Sequence, residues 1–365
     1  MGAAEVGICE PSFAELEAQG ESPPGLNVIR LVDVPDTPPP PDVIADFAPA
    51  RFPTSLYGAG GSAKSILALL AAISVAGDVP FLGRAVTPGP VLYLDWELDD
   101  DVTARRGRQL VRGLGLARVP EHLYYLNPLK PILAFVDELA ATIEQRQVSL
   151  VVIDSLGLAI CGDTQSEQGV IPAMLALRAL GVASLVIDHQ GHVQAGEDYA
   201  AKHQFGSVYK ANLSRSQWQV DTAEPGLDRS IVELVLRQKK ASFGQRQPDL
   251  GVSVSFAGPG GPIRVEQLDV GTTPALRAKG PARDRILAAV REEPGIASET
   301  LAELLSLPLK TTQNALTGLA AHGQVRLVAA SRREPAAWYP TAAAKARVEY
   351  PDRDTEYPDR DQGAL

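Results

Sequence analysis

The eight residues Gly58, Ala59, Gly60, Gly61, Ser62, Ala63, Lys64 and Ser65 have the types and spacing for phosphate chemistry. They follow the apolar Ser55-Leu56-Tyr57 and open the helix-forming run Ile66-Leu67-Ala68-Leu69-Leu70-Ala71-Ala72-Ile73. Strand, glycine-rich turn and helix, in that order, let backbone N–H groups wrap an anion at the positive end of a helix dipole. In that setting Lys64 reaches the β- and γ-phosphates of a nucleotide, and the Ser65 hydroxyl holds Mg²⁺. One position departs from G-x-x-x-x-G-K-[ST]: Ala63 stands where the pattern has glycine, and alanine has fewer backbone conformations open to it. Nucleotide affinity is the property this departure bears on. A glycine-rich turn that merely caps a core helix would leave Lys-Ser at this spacing without a reason.

Three further polar residues close apolar runs downstream. Pro90-Val91-Leu92-Tyr93-Leu94-Asp95-Trp96-Glu97 predicts a buried strand with Glu97 at its polar end, placed to align and deprotonate the water that attacks a γ-phosphate. Val148-Ser149-Leu150-Val151-Val152-Ile153-Asp154 predicts a second such strand, whose Asp154 would hold Mg²⁺ through water. A third run, Val182 to Ile187, ends in Asp188-His189-Gln190, and His189 would sense the γ-phosphate. Each residue alone could be an ordinary strand end; together with the upstream loop they describe ATP and Mg²⁺ chemistry.

Whatever positions these residues must be a large α/β core. The chain has 365 residues, which predicts about two domains. Its net charge of −10 argues against indiscriminate polyanion binding, so any nucleic-acid contact must be local. Cys9 and Cys161 are too few for a disulfide framework, which suits a reducing cytoplasmic setting. No basic-then-apolar N-terminal pattern and no apolar run of about 20 residues occurs, so neither a signal peptide nor a membrane span is expected. Residues 1–41 are acidic and end in a proline run, which predicts a disordered leader. The ATPase domain is expected over 42–272, a linker over 273–281 and a small helical domain over 282–341. Residues 342–365 repeat Glu-Tyr-Pro-Asp-Arg-Asp, lack a hydrophobic face, and read as a disordered tail.

The ordered set of Gly58–Ser65, Glu97, Asp154, Asp188-His189, the Gly206-Ser207…Arg215-Ser216-Gln217-Trp218 segment and Lys240…Gly244 resembles RecA-like ATPases. Within them it is similar to the branch of plasmid hexameric replicative helicases of the RepA type and related phage and mobile-element ATPases, over about residues 42–270. The resemblance implies a mostly parallel sheet flanked by helices, with Glu97 as catalytic base and His189 as polar sensor. It implies that Arg215 enters a neighbouring subunit's ATP site and that Lys240 serves the same interface. It further implies a homo-oligomeric ring, expected to be a hexamer, whose loops 162–169 and 191–204 face single-stranded DNA in the channel, Lys202 among them. Two features depart from the branch: Ala63, and Asp188 where a second histidine often stands. The first loop also has no lysine or arginine.

From Ala282 the apolar spacing is helical, with Ser298 expected to cap a second helix and Gly323 to stop a third spanning Lys310 to His322. Val325–Val328 and Ala336–Tyr339 then flank Arg332-Arg333-Glu334-Pro335 as a hairpin. Three helices and a basic-tipped hairpin resemble a winged helix. That likeness implies that Lys310, Thr311, Thr312, Gln313 and Asn314 face a DNA major groove, with Arg332 and Arg333 on the wing. Residues 279–348 carry ten basic and six acidic residues, a positive segment in an acidic chain. A protein-interaction role for this unit stays open. So do two alternatives to a helicase or translocase: an ATP-controlled DNA-binding regulator or loader, and a small-molecule P-loop kinase. The kinase is disfavoured, because nothing resembles an acceptor-substrate lid.

Overall fold

A computed structural model describes residues 29–38, 40–160, 167–190, 208–223, 228–270, 273, 276, 280–329 and 336–341. In the leader, the described residues form one short 3-10 turn, Leu31–Asp33, with no buried residue and an Arg30–Asp33 ion pair of 2.6 Å.

From Pro41 onward the strands are β1 (Pro53–Gly58), β2 (Val91–Asp95), β3 (Leu123–Leu126), β4 (Leu150–Asp154), β5 (Ala183–His189), β6 (Ser216–Thr222), β7 (Ile231–Ala241), β8 (Leu250–Phe256) and β9 (Ile263–Leu268). Helices α1 (Lys64–Gly77), α2 (Asp100–Gly113), α3 (Val136–Arg146), α4 (Leu156–Ala159), α5 (Glu167–Ala179) and α6 (Val208–Leu213) alternate with them. Among the described residues these strands make one sheet in the order β3-β2-β4-β5-β1-β6-β7-β8-β9, parallel as far as β6 and antiparallel beyond it. This is the expected α/β architecture. Strands β1, β2 and β4 are buried along their whole length, because helices cover both faces, and their sequences are accordingly apolar runs without alternation. Glu167 to Gly169, expected in a loop, are instead the first turn of α5.

Helix α1 lies at the centre of this sheet. Its residues Ile66 to Val75 are all buried and share one hydrophobic core with Val91 and Tyr93 of β2, Val152 of β4, Ile187 of β5, Leu56 of β1, Trp218 and Val220 of β6, Leu234 of β7, Val252 of β8 and Ile263 of β9. A helix apolar on every side must be enclosed on every side, and the sheet does this by curling until β9 meets α2. Gln109 Nε2 donates to Gly261 O at 3.0 Å, Arg112 donates to Gly260 O, and Gly113 lies against the Ile263 backbone where a Cβ would have no room. The second face holds a separate cluster built from β2, β4, α3, α4 and α5.

The C-terminal residues form α7 (Ala282–Glu292), α8 (Ser298–Leu304), α9 (Leu309–Ala321), β10 (Val325–Val328) and β11 (Ala337–Pro340), the two strands pairing antiparallel. Ile286, Val290, Leu301, Leu316, Leu319 and Trp338 make its own core. Ser298 does not cap α8; it is the first helical residue, and its hydroxyl accepts from Trp338 Nε1 at 3.0 Å, which ties β11 to the helices. Leu276, within the expected linker, is fully buried against Gly251. Among the described residues no helix is long and apolar enough to cross a membrane.

Candidate nucleotide-binding site

Strand β1 runs straight into the glycine-rich turn, and its last residue has no room for a side chain: a Cβ on Gly58 would stand 2.5 Å from Val220 O on β6. Gly61 and Ala63 both have positive φ, 74° and 61°, and α1 starts at Lys64. Ala63 is thus held in the left-handed region that glycine occupies freely. Ala63→Gly relieves about 1 kcal/mol of backbone strain and widens the unfolded ensemble at a cost of about 0.4–1 kcal/mol. We expect equal or slightly higher stability in urea unfolding; a loss above about 1 kcal/mol would mean that the Ala63 methyl packing outweighs the strain.

Lys64 is buried and folded back on the loop. Its Nζ donates to Ala59 O at 2.7 Å and Gly58 O at 3.0 Å, with Ser62 Oγ at 3.4 Å. Burial pushes its pKa down, while Glu97, Asp154 and Asp188 act to hold the ammonium charged. These residues meet in a cleft of about 460 Å³ lined by the loop, Glu97, Asp154 and His189, with Arg106 and Gln109 of α2 and Val232, Phe256 and Ile263 of the antiparallel strands as its far wall.

The register of the sheet explains the meeting. Asp95 and Asp154 end neighbouring strands directly opposite one another, and β5 lies between β4 and β1, so that His189 stands opposite Gly58. The strand expected to end at Glu97 ends at Asp95. Asp95 is buried and braces the turn that presents Glu97: Oδ1 accepts the N–H groups of Glu97 and Leu98 at 2.9 and 3.0 Å, and Oδ2 accepts from the Thr103 hydroxyl at 2.9 Å. Burial raises the Asp95 pKa against these three bonds. Tyr125 and Asn127 of the β3 side hold Leu98 O in the same turn. Glu97 Oε1 accepts from Ser155 Oγ at 2.6 Å and lies 3.8 Å from His189 Nε2.

Asp154 is buried, and Tyr93 OH donates to its Oδ2 at 2.7 Å. Burial pushes its pKa up to about 7, against the hydrogen bond of Tyr93 and the influence of the nearby Ser65 hydroxyl. Its other oxygen, Oδ1, is buried with no hydrogen-bond partner among the described residues. An orphaned carboxylate oxygen beside the Ser65 hydroxyl is the donor set that Mg²⁺ takes, so the residues present fit that ion. The Asp154–Ser155 peptide is cis. Asp95, Tyr93 and Ser155 are the functional neighbours that the linear pattern did not single out; Asp95, as the last residue of its apolar run, had a usable signal.

Arg215 and Lys240 do not line the cleft of their own chain. Both turn onto the C-terminal end of α6: Arg215 donates to Asn212 O at 2.9 Å, and Lys240 Nζ to Ala211 O at 2.9 Å and Asn212 O at 3.1 Å. Burial lowers the Lys240 pKa, with Arg215 adding to the effect. Trp218, in the same segment, is a core residue stacked on Phe47 at 4.9 Å.

On α9, Lys310, Thr311, Gln313 and Asn314 are exposed. Thr312, expected beside them, is fully buried, and its hydroxyl donates to Pro308 O at 3.3 Å. It belongs to the inward row with Leu316 and Leu319, the i, i+4, i+7 spacing of one helix face. Lys202, Arg332 and Arg333 lie outside the described residues, as do residues 162–166 and 191–204 of the two proposed channel loops.

A family described as AAA domain matches residues 22–195. No curated protein matches. Among solved structures the chain is similar to the KaiC-like protein PH0186 from the hyperthermophilic archaeon Pyrococcus horikoshii OT3, with a TM-score of 0.41 and 12% identity, over 61% of this chain and 94% of that one. The matched span holds the glycine-rich loop, Glu97, Asp154 and His189.

Proposed function

We propose that this chain is a RecA-like P-loop ATPase that drives movement on DNA, as a ring-forming helicase or translocase of the RepA type. The observation that carries the ATPase part is the single cleft in which Lys64, Ser65, Glu97, Asp154 and His189 converge. A triphosphate replaces the loop carbonyls as the partner of Lys64, whose burial strengthens its attraction for an anion. Ser65 and Asp154 would hold Mg²⁺, which would supply positive charge to the bound phosphates. Glu97, oriented by Ser155 and by the Asp95 turn, takes the proton of the attacking water. His189, beside Glu97, stands where it would contact the γ-phosphate. Arg215 and Lys240, away from their own cleft, are free to serve a neighbour's site in a homo-oligomer, which the RepA likeness makes a hexamer.

The C-terminal unit would bind duplex as a winged helix. Its support is the exposed row of Lys310, Thr311, Gln313 and Asn314 on α9 in a chain of net charge −10. That placement also favours a second reading, an ATP-controlled DNA-binding regulator or loader. Lys310→Glu should weaken duplex binding, lower the salt slope by about 1, and leave basal hydrolysis unchanged. An unaltered duplex affinity would move this unit to protein interaction. Helicase and regulator separate in one assay of the full chain: ATPase stimulated by single-stranded DNA together with unwinding of a forked substrate supports the motor. Stimulation by duplex alone, without unwinding, supports the regulator.

A further inference from the structure

We propose that Lys210 is a positioning residue of the nucleotide site, which acts through Asp188 to fix the backbone from which His189 reaches Glu97 and the phosphate cleft. Lys210 is fully buried on α6 and Asp188 is 2% exposed on β5, with Nζ 2.8 Å from Oδ2. The other carboxylate oxygen, Oδ1, accepts the N–H of His189 at 2.8 Å. One carboxylate therefore spans the ammonium of α6 and the amide of the sensor residue. The next residue continues the same fixation: Gln190 N–H donates to Gly58 O at 3.0 Å, the carbonyl that also accepts from Lys64 Nζ at 3.0 Å.

Stability alone does not explain the pair. Taking two charges out of water costs about as much as their attraction returns, and apolar residues of the same shape would hold α6 on the sheet as well. A charged pair adds direction, because the carboxylate must face the ammonium and so turns its second oxygen to the His189 amide. Helix α6 is itself anchored: Ser214 Oγ donates to Lys210 O at 2.8 Å and pairs with Ser55 Oγ of β1 at 2.5 Å. Its C-terminal carbonyls hold Lys240 and Arg215. Lys210 thus joins the end of β5 at the cleft to the helix that carries the two cations assigned to the subunit interface.

The kinetic consequence rests on the ATPase reading, so the test has one readout that does not. In the full chain, Asp188→Asn with Lys210→Met removes both charges of the pair together. Modification of His189 by diethylpyrocarbonate, read residue by residue by mass spectrometry, should quicken, while His122 and His322 keep their wild-type rates. ATP turnover should fall by about 10–100-fold with little change in KM, the loss expected from misplacing a reacting group by about 1 Å. Adding His189→Ala to the double variant should then cost little more. A purely structural pair would lower Tm and leave the His189 rate and kcat at wild-type values, and that result overturns the proposal. If the double variant does not fold, Lys210→Arg, which keeps the charge and alters the reach, is read in the same way, and an unchanged His189 rate again overturns it. A wild-type chain that neither binds nor hydrolyses ATP would defeat the ATPase reading, and the His189 modification rate would still decide the role of Lys210.

Discussion

Glu97→Gln is expected to lower ATP turnover by about 10²–10⁴-fold while nucleotide binding persists. Glutamine keeps the oxygen that accepts from Ser155 Oγ and removes only the basicity that takes a proton from water. Lys64→Ala should behave differently, because Lys64 is the buried cation of the cleft, and its loss should abolish binding itself. The comparison separates roles that a single loss of activity would not. Binding is read by fluorescence of a labelled ATP analogue and turnover by phosphate release. Equal turnover by the wild type and Glu97→Gln would remove Glu97 from the chemistry, and the water would then need another base; His189, 3.8 Å from Glu97, is the nearest titratable group paired with it. The Asp95 turn makes a related contribution: because Asp95 holds the N–H of Glu97, Glu97 is presented by a braced loop and not by a strand.

The second large effect concerns the interface. Arg215→Ala should bind ATP and hydrolyse it about 10³–10⁵-fold more slowly, the usual worth of an arginine that stabilises charge developing on a transferred phosphoryl group. The side chain lies on the carbonyls at the end of its own α6 and outside its own cleft, so this loss is expected only if a neighbouring copy receives it. Mixing Arg215→Ala with Lys64→Ala chains tests that directly. Each mixed pair can form one site with an intact loop and an intact arginine, so turnover should recover partly in mixtures that co-assemble. Co-assembled mixtures that stay inactive at every ratio would place Arg215 outside the shared site. A loss of ATP binding in Arg215→Ala alone would indicate instead that α6 needs the Arg215–Asn212 bond for its position.

Local chemistry was legible in the sequence. The glycine-rich loop, the buried strand ending at Asp154 and the helix beginning at Lys64 follow from short-range patterns: apolar runs that need cover on both faces, a turn that needs positive φ, and a helix apolar all round. His189 at the end of β5 was readable for the same reason. What the sequence could not supply was register between elements far apart in the chain. Tyr93 meets Asp154, and Lys210 meets Asp188, only because β2, β4, β5 and α6 are set side by side with particular residues opposite. Thr312 shows the same limit on a single helix: its polar type suggested an outward face, but its phase with Leu316 and Leu319 and the packing against α7 took it inward. Arg215 and Lys240 share one helix end because a strand pairing brings Gln217 opposite Lys240, two residues well separated in sequence. Buried polar groups need partners wherever the fold can provide them. The partner is therefore chosen by tertiary geometry, while the need for one is written in the residue itself.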